Sequence, residues 1–415
     1  MFPRNKNRCA SISAALLFLV SAGLLEAGTW NWEKVLSEAK KKNPALAAAE
    51  KSVRSAELSY KSAFTGYAPT FSGDLGMRDG SSSGGTSSAG ISGRLSLFRG
   101  FRNASEIRIQ KTALAVEEMT YRREFADFKY RLRIAFAQVL KAEKSVSLYD
   151  SITQRRKRNY ELVKLRYEAG REDLGAFLRS EADYAQSQYE LSSQQRNLKT
   201  VQIALLAEMG EDGYEAFSVT GTFSLTAGEE KFSEEKWKEN PEYITAQYRV
   251  EAARYRLDTQ AGDFYPDVSL SGGVSRSGDR LLSGERSWNM GISLSYPFFS
   301  GGKDILDLKI AALDDEIARD NLTRSGQALA LEYQRTYNDY IDSLEFLQVR
   351  EKYHRAVRER AGITQEKYIN GLVSYQEWDL AENDFISAEK SLLEAQYNLF
   401  ASWAGWKNFL AEEEE

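Results

Sequence analysis

Asn43-Pro44 returns 197 positions later as Asn240-Pro241, and Tyr67-Ala-Pro-Thr70 returns over the same distance as Phe264-Tyr-Pro-Asp267. Two further stretches, Phe98-Arg-Gly-Phe101 and Tyr167-Glu-Ala-Gly170, return 201 positions later as Phe299-Ser-Gly-Gly302 and Tyr368-Ile-Asn-Gly371. A period of about 200 residues is far longer than the unit of a solenoid. The sequence therefore predicts an internal two-fold structural repeat, with halves at 28–210 and 233–406 joined by a crossover at 211–232.

Residues 1–27 have the features of a secretory signal peptide. Basic residues at positions 4, 6 and 8 precede a short apolar run over 12–25, and Ala27 offers a small residue for cleavage. A membrane anchor is the alternative, but the run is short for a membrane span. The formal net charge of the chain is −5, and removing this segment, whose own charge is +2, leaves −7. Such an acidic balance argues against nucleic acid as a partner.

The single cysteine of the sequence, Cys9, lies in the basic part of this segment. The mature chain is therefore expected to have no disulfide, no thiolate nucleophile and no cysteine-bound metal. A lipoprotein would carry its cysteine just after the apolar run, whereas Cys9 precedes that run. We therefore predict that the chain has no lipid anchor.

Long helices are predicted where proline is absent and apolar residues recur in steps of three and four. Such a seam, which is typical of coiled coils, contains Phe125, Phe128, Leu132, Ala135, Val139, Ala142, Val146 and Tyr149. We predict one unbroken helix over 102–168, about 100 Å long at 1.5 Å per residue. Its repeat counterpart is 303–369.

Two shorter helices are predicted to lie end to end beside each long helix. They span 31–66 and 172–209 in the first half, and 234–263 and 372–405 in the second. The glycine-rich crossover is interpreted as a belt around the middle of the bundle, and residues 407–415 as an acidic tail. The result is a tall, mainly α coiled-coil bundle that has the proportions of a helical barrel.

We also predict four strands, which form two β-hairpins at 69–98 and 266–298. Each strand has about ten residues that alternate between apolar and small polar side chains, as transmembrane β-strands do. The tips of both hairpins are rich in glycine and serine. Aromatic residues gather toward the strand ends, where an interfacial girdle would lie: Phe98, Trp288, Tyr296, Phe298 and Phe299.

The alternative is that both hairpins pack on a soluble core. Two observations oppose it: the polar face carries small side chains suited to a water-filled lumen, and the flanking helices point away from the apolar face. Four strands cannot close a barrel, and open edges are not tolerated in lipid. We therefore expect a homotrimer that closes a 12-stranded barrel, with four transmembrane β-strands from each protomer and membrane lipid around it.

In this ordered and duplicated set of motifs, the chain resembles the TolC family of trimeric outer-membrane channels. The resemblance covers nearly all of residues 29–406. It includes Arg166-Tyr-Glu-Ala-Gly-Arg-Glu-Asp-Leu174 and Lys367-Tyr-Ile-Asn-Gly-Leu-Val-Ser-Tyr375, the turns that join the helices. The resemblance implies an outer-membrane location, a helical part in the periplasm, and two partners: a periplasmic adaptor (membrane fusion protein) and an inner-membrane transporter.

The resemblance also implies two functional regions at the periplasmic tips. The adaptor would dock at Gly170-Arg171 and Gly371-Leu372, where Arg171 departs from the apolar residue that usually follows the glycine. Some members carry two acidic residues, three positions apart, that narrow the pore. Glu377 stands at the first of these positions, whereas the second is Leu380, which is not acidic and has Asp379 beside it. The matching position in the first half is Ala176, so a two-tier ring is not supported. A solvated helix start, where carboxylates favour the positive end of the dipole, explains both carboxylates equally well.

We find no constellation of residues for catalysis, and we predict neither an enzyme nor a cofactor nor a metal site. His354 lies on a charged helix without a partner at metal-ligand spacing, and no phosphate-binding loop or nucleophile elbow is present. Two functions remain. The first is a channel of a tripartite efflux pump or a type I secretion system; the alternative is a non-conducting periplasmic coiled-coil adaptor or scaffold.

Overall fold

The computed structural model describes residues 29–78, 86–211, 213, 217–223, 232–279 and 284–411. The predicted signal peptide, the tips of both hairpins at 79–85 and 280–283, and positions 412–415 of the predicted tail lie outside the described residues. The helices are α1 Trp32–Lys42, α2 Pro44–Ala63, α3 Arg102–Glu168, α4 Leu174–Met209, α5 Pro241–Ala261, α6 Lys303–Ile369 and α7 Tyr375–Leu410. The strands are β1 Thr29–Trp30, β2 Thr70–Arg78, β3 Thr86–Arg99, β4 Ser218–Val219, β5 Asp267–Gly278 and β6 Glu285–Ser295.

The two long helices, α3 and α6, each have 67 residues and run the length of the helical part. α3 lies in the centre of the protomer, where it packs against α2 and α5 near the sheet and against α4 and α7 farther away. α6 lies at one side and packs against α5 and α7. This arrangement confirms the mainly α fold with a small sheet that the sequence predicts.

The core of the helical part follows the predicted seam of α3. Phe128, Leu132, Ala135, Val139 and Ala142 are buried, and α1 and α4 cover them with Val35 and Leu205. Burying side chains of this size stabilises the fold by about 1.5–3 kcal/mol each. The seam is therefore the main source of cohesion between the helices of the first half.

The predicted helix over 31–66 is divided at Asn43, which has extended backbone angles (φ −68°, ψ 119°). Its side-chain oxygen accepts hydrogen bonds from the backbone N–H groups of Ala45 and Leu46, and its amide donates to the carbonyl of Glu208 at the end of α4. Pro44 occupies the first position of α2, where no N–H is needed. The Asn-Pro pair thus caps one helix and ties it to the end of another.

The second half repeats this device with Asn240, which caps α5 and donates to the carbonyl of Phe409. The predicted helix over 234–263 is accordingly a short 3-10 turn, Lys236–Glu239, followed by α5. α7 extends to Leu410 rather than ending at 405, because Trp406, Phe409 and Leu410 are buried against α6. The predicted tail over 407–415 therefore begins inside a helix.

The described part of the crossover lies against the middle of α3. β4 pairs in parallel with β1, and the ring of Phe217 stacks on Trp30 with 4.8 Å between centroids. The backbone N–H of Val219 donates to Glu143 on α3. Residues 222–223 are not a strand, and the rest of the second predicted β-like stretch lies outside the described residues.

The hairpins form one antiparallel sheet with the strand order β2-β3-β5-β6. Arg102, at the start of α3, bridges Asp263 and Asp267 and so links this sheet to the helices. Within the described residues, β2 pairs with β3 alone and β6 with β5 alone, so both outer edges of the sheet are open.

Candidate functional site: the channel wall and the entrance tips

The two faces of the sheet differ sharply in chemistry. One face carries large apolar side chains, many of them two-thirds exposed or more: Phe71, Leu75, Met77, Ile91, Leu95, Leu270, Val274, Trp288, Met290, Ile292 and Leu294. Their exposed area is far beyond the single apolar residues that are normal on a soluble surface. This face is built to contact lipid or a partner.

The opposite face is lined by hydroxyl groups. Serine pairs meet across neighbouring strands, with oxygen–oxygen distances of 2.8 Å for Ser72 and Ser92, 2.8 Å for Ser269 and Ser293, and 2.9 Å for Ser275 and Ser287. Such short side chains leave space in front of the sheet and keep that surface wettable. The face therefore suits a water-filled lumen.

A second apolar seam, not singled out in the sequence, lies on the exposed side of α6. It contains Leu306, Ile310, Leu313 and Ile317, which are all more than half exposed and follow the steps of a heptad. Within the described residues, this coiled-coil seam is left uncovered. The signal was readable in the sequence, but it could not be told apart there from an internal seam.

Both helix-to-helix tips end in the same backbone turn. Gly170 (φ +70°) and Gly371 (φ +75°) adopt the left-handed conformation that glycine favours. The N–H of Arg171 bonds to the carbonyl of Arg166 and that of Leu372 to the carbonyl of Lys367, both at 2.8 Å, which completes the helix C-cap. Arg171 and Leu372 are exposed, so the predicted docking positions lie on the surface of the tips.

Side chains link the two tips to each other. The hydroxyl of Tyr368 donates to Glu172 at 2.6 Å, and the guanidinium of Arg166 lies over the Tyr368 ring while donating to the carbonyl of Ile369 at 2.7 Å. Burial, together with the bond to Glu172, raises the pKa of Tyr368 above its ordinary range. The hydroxyl therefore stays protonated as a donor, and the tips are held together inside the protomer.

The candidate gate residues occupy different environments. Glu377 is exposed in the first turn of α7, where its backbone N–H donates to Ser374 at 3.2 Å. Asp379 instead accepts from Arg156 of α3 at 3.1 Å. Ala176, the counterpart of Glu377, is buried between the tips. Of these positions, Glu377 alone presents a free carboxylate.

An interhelical ion-pair cluster above the tips was not anticipated. Arg155 pairs with Glu382 at 3.1 Å and also with Glu389, while Arg156 pairs with Asp379 and lies 3.7 Å from Asp183. Burial of the Asp183 carboxyl raises its pKa, and the nearby Asp379 adds to the shift, although Arg156 opposes it. The seven-residue spacing of Glu382 and Glu389 places them on one face of α7, but spacing along one helix does not identify Arg155 as their partner.

No group of three or more metal-binding side chains occurs in the described part of the chain. The ring of His354 packs near Phe385, with 5.7 Å between centroids. Among the described helices, none has a stretch sufficiently long and apolar to span a membrane.

Comparison with known proteins identifies related sequences and related structures. A family model described as outer membrane efflux protein matches residues 35–211 and 234–410, once in each half. The alkaline protease secretion protein AprF of Pseudomonas aeruginosa is 27% identical over 170 residues, which cover 40% of this chain and only 35% of AprF. The cation efflux system protein CusC of Escherichia coli K12 is 23% identical over 393 residues, which cover 88% of this chain and 82% of CusC.

Solved structures show the same fold. A crystal structure of CusC superposes with a TM-score of 0.81 at 18% identity and covers 91% of both chains. The open state of the Neisseria gonorrhoeae MtrE outer membrane channel gives a TM-score of 0.80 at 17% identity, covering 99% of this chain and 98% of that one. The likeness thus extends over the sheet, both long helices and the tips.

Proposed function

Because the chain belongs to the outer membrane efflux protein family, we propose that it forms a trimeric outer-membrane channel that carries exported substrate from a periplasm-spanning assembly to the exterior. One observation carries the proposal: a sheet with one lipid-compatible face, one hydroxyl-lined face and two open edges. A soluble adaptor or scaffold would have to leave that apolar face in water. In a channel the same face lies against lipid.

The open edges favour assembly through strand pairing. Unpaired backbone groups are not tolerated in the hydrocarbon region, so β6 of one protomer would pair with β2 of the next. The repeat supplies the register. Gly93 of β3 lies opposite Gly272 of β5. The repeat counterpart of Gly93 is Leu294, 201 positions later, and that of Gly272 is Leu75, 197 positions earlier. Leu294 of one protomer would therefore lie opposite Leu75 of the next. Three protomers would then close twelve strands.

The helical part supports the same assembly. The exposed seam of α6 lies at one side of the protomer, while α2 and α4 expose Leu58 and Leu178 at the other. Packing α6 against the neighbouring α2 and α4 would cover both surfaces and continue the alternation of helices around a ring. The two-fold repeat would then give the trimer a quasi-sixfold wall.

The tips are the part of the molecule farthest from the sheet and would form the periplasmic entrance. We assign Gly170-Arg171 and Gly371-Leu372 to contacts with a periplasmic adaptor, since they are exposed at the end of the bundle. Glu377 is assigned to the entrance as a ring of three carboxylates, whereas Asp379 is engaged by Arg156. The conduit itself does not select its cargo, which the energised inner-membrane transporter would supply.

Disulfide trapping tests the trimer. The cysteine pair Leu75→Cys and Leu294→Cys, in a chain whose native Cys9 is replaced by serine, should give trimers on non-reducing gels after mild oxidation of outer membranes. The control pair Phe71→Cys and Leu294→Cys lies on the same face but four residues out of register, and it should not cross-link. Monomers from the first pair, or equal trapping of both, would contradict the proposed edge pairing.

Conductance tests the channel itself. The purified protein in planar bilayers should give discrete single-channel currents that depend on trimer formation. A mature protein recovered as a detergent-free soluble monomer from the periplasm would instead favour the adaptor or scaffold. Cargo can be found by comparing drug and metal sensitivity, and the secreted proteins, of a deletion strain with those of its parent.

A further inference from the structure

Two arginines break the apolar face of the sheet. Arg276 of β5 and Arg286 of β6 are paired directly across the strands. Strand alternation places them on the apolar side, one step beyond the pair Val274 and Trp288 toward the hairpin tip. Like charges directly opposite each other destabilise a sheet. A pair of this kind on the lipid-facing side indicates an anion that offsets the repulsion.

A groove on the same face lies beside these arginines. Gly93 and Gly272 face each other across β3 and β5 and remove two side chains from the middle of the apolar surface. Ile91, Val274 and Trp288 form one wall and Leu95 and Leu270 the other, around a groove of about 810 Å³ whose lining includes Arg286. A Cβ on Gly93 would lie 2.9 Å from the Phe71 ring, so this ring occupies one end of the floor.

We propose that the sheet binds a phosphate-bearing lipid of the outer leaflet, with the phosphate between Arg276 and Arg286 and an acyl chain in the groove over Gly272. The orientation rests on the proposed function, which puts the hairpin tips outside. Arginine donates paired hydrogen bonds in a planar fork that matches phosphate oxygens. The groove accepts a chain without hydrogen-bonding groups, since its walls are aliphatic and aromatic.

Two acidic residues lie near the pair and could neutralise part of its charge. Glu285 precedes Arg286 and lies opposite Ser277, so alternation directs it to the hydroxyl-lined face. Asp279 follows β5, and both it and Arg276 have further interactions within the protein. Among the described residues at the tip of this hairpin, Asp279 is then the one carboxylate against two guanidinium groups, which leaves a net positive charge that an anionic headgroup complements.

The protein carries its own reporter for the experiment. Of its seven tryptophans, Trp288 lies in the sheet, on the wall of the groove. The other six lie in β1, in α1, in α7 and in the turn before α5. α5 is about 30 Å long and separates that turn from the sheet. Bromine on a lipid acyl chain quenches tryptophan fluorescence at contact. Quenching by brominated lipid therefore reports what lies beside Trp288.

The full-length protein is reconstituted in phosphatidylcholine vesicles that contain a small fraction of brominated phosphatidic acid or, in parallel, brominated phosphatidylcholine. A net charge of one at a membrane surface should enrich the anionic lipid by about fivefold, seen as half-maximal quenching at a correspondingly lower mole fraction. R276Q/R286Q should abolish that preference. R276K/R286K should retain most of it, because the charge remains.

Arg78→Gln is the matched control, since it removes one arginine from the same sheet but from the hydroxyl-lined face and outside the groove. It should leave the preference unchanged. Equal quenching by both lipids in the wild type, or equal loss in R78Q, would overturn the lipid site. An excess of inorganic phosphate should not displace the lipid. If it does, the arginines bind the free anion and the lipid proposal is wrong.

Brominated phosphatidylcholine separates this inference from the proposed function. Quenching of Trp288 by that lipid in every variant shows that the sheet lies in the bilayer and that each variant is folded there. If it does not quench the wild type, the membrane placement and the lipid site fail together. If it quenches the wild type without a preference for phosphatidic acid, the lipid site fails alone.

Discussion

α3 and α6 have the same length and equivalent places in the repeat, yet their surroundings differ. α3 has helices on both sides along its whole length, whereas α6 has partners on one side and exposes Leu306, Ile310 and Leu313 on the other. The two halves of the repeat are therefore similar in fold but not in surroundings within one protomer. In the proposed trimer, the second half would acquire the surroundings of the first when another protomer packs against it.

The largest expected effect is on the centre of α3. Leu132 is fully buried, and Leu132→Ala should lower the free energy of unfolding by about 3 kcal/mol through lost burial and the cavity left behind. Leu313→Ala, the same truncation on the exposed seam of α6, should change it by less than about 0.5 kcal/mol. Thermal unfolding by circular dichroism, in a detergent that dissociates the trimer, measures both. Equal losses would show that the two helices are equally covered in the protomer.

The Asn-Pro caps should give the next largest effect and should again differ between halves. Asn240 is 2% exposed and Asn43 8%, and each caps one helix while donating to the end of another. Replacing an N-cap with alanine costs about 1–2 kcal/mol. We expect Asn240→Ala to cost more than Asn43→Ala, because a more deeply buried carbonyl at Phe409 loses its donor. The same unfolding measurement applies, with the surface variant Asn338→Ala as control.

These caps also show where sequence reasoning succeeds and stops. The seam from Phe125 to Tyr149 was predictable because a heptad is a local signal that needs no knowledge of the partner helix. The break at Asn43 has a local cause, because Pro44 disfavours helical backbone at the residue before it. The hydrogen bond to Glu208, 165 positions away, could not be predicted from the sequence.

The candidate site likewise has some features that local sequence predicts and others that depend on contacts between distant residues. The left-handed turns at Gly170 and Gly371 and the alternation of the strands are local, so the sequence predicts them. The pairing of Arg155 with Glu382 and the burial of Ala176 depend on which helices meet, which spacing along one helix cannot specify. Arg276 and Arg286 were likewise visible as residues, but their direct opposition required the register of β5 and β6.

A smaller effect is expected from two aspartates at equivalent positions of the repeat. Asp183 is partly buried beside Arg179 and Arg156, and desolvation raises its pKa, so its ionised form is less stable in the folded protein than in the unfolded chain. Asp183→Asn should therefore raise the apparent Tm at neutral pH. This gain should disappear as the pH falls from the raised pKa toward the ordinary value for aspartate, where the wild-type carboxyl is protonated in both states.

Asp384, the counterpart of Asp183, supplies the control. It forms a more exposed pair with Arg360 at 3.1 Å, and such pairs contribute about 0–1 kcal/mol. Asp384→Asn should leave the Tm nearly unchanged. The comparison is made by thermal unfolding between pH 4 and 8. A Tm gain in Asp183→Asn that stays constant down to the lowest pH would rule out titration of this carboxyl as its cause.

The smallest expected effect concerns the entrance, where the two halves differ at Glu377 and Ala176. Since the first half has an alanine at this position, a trimer would carry three entrance carboxylates rather than six. Glu377→Ala should raise single-channel conductance in planar bilayers and weaken the preference for cations, and Glu377→Gln should weaken that preference with a smaller change in conductance. Asp379→Asn should change neither, because Arg156 already neutralises that carboxylate. If conductance and ion preference both stay unchanged in Glu377→Ala, the carboxylate serves only the start of α7, where its interaction with the helix dipole contributes about 0.3–1 kcal/mol.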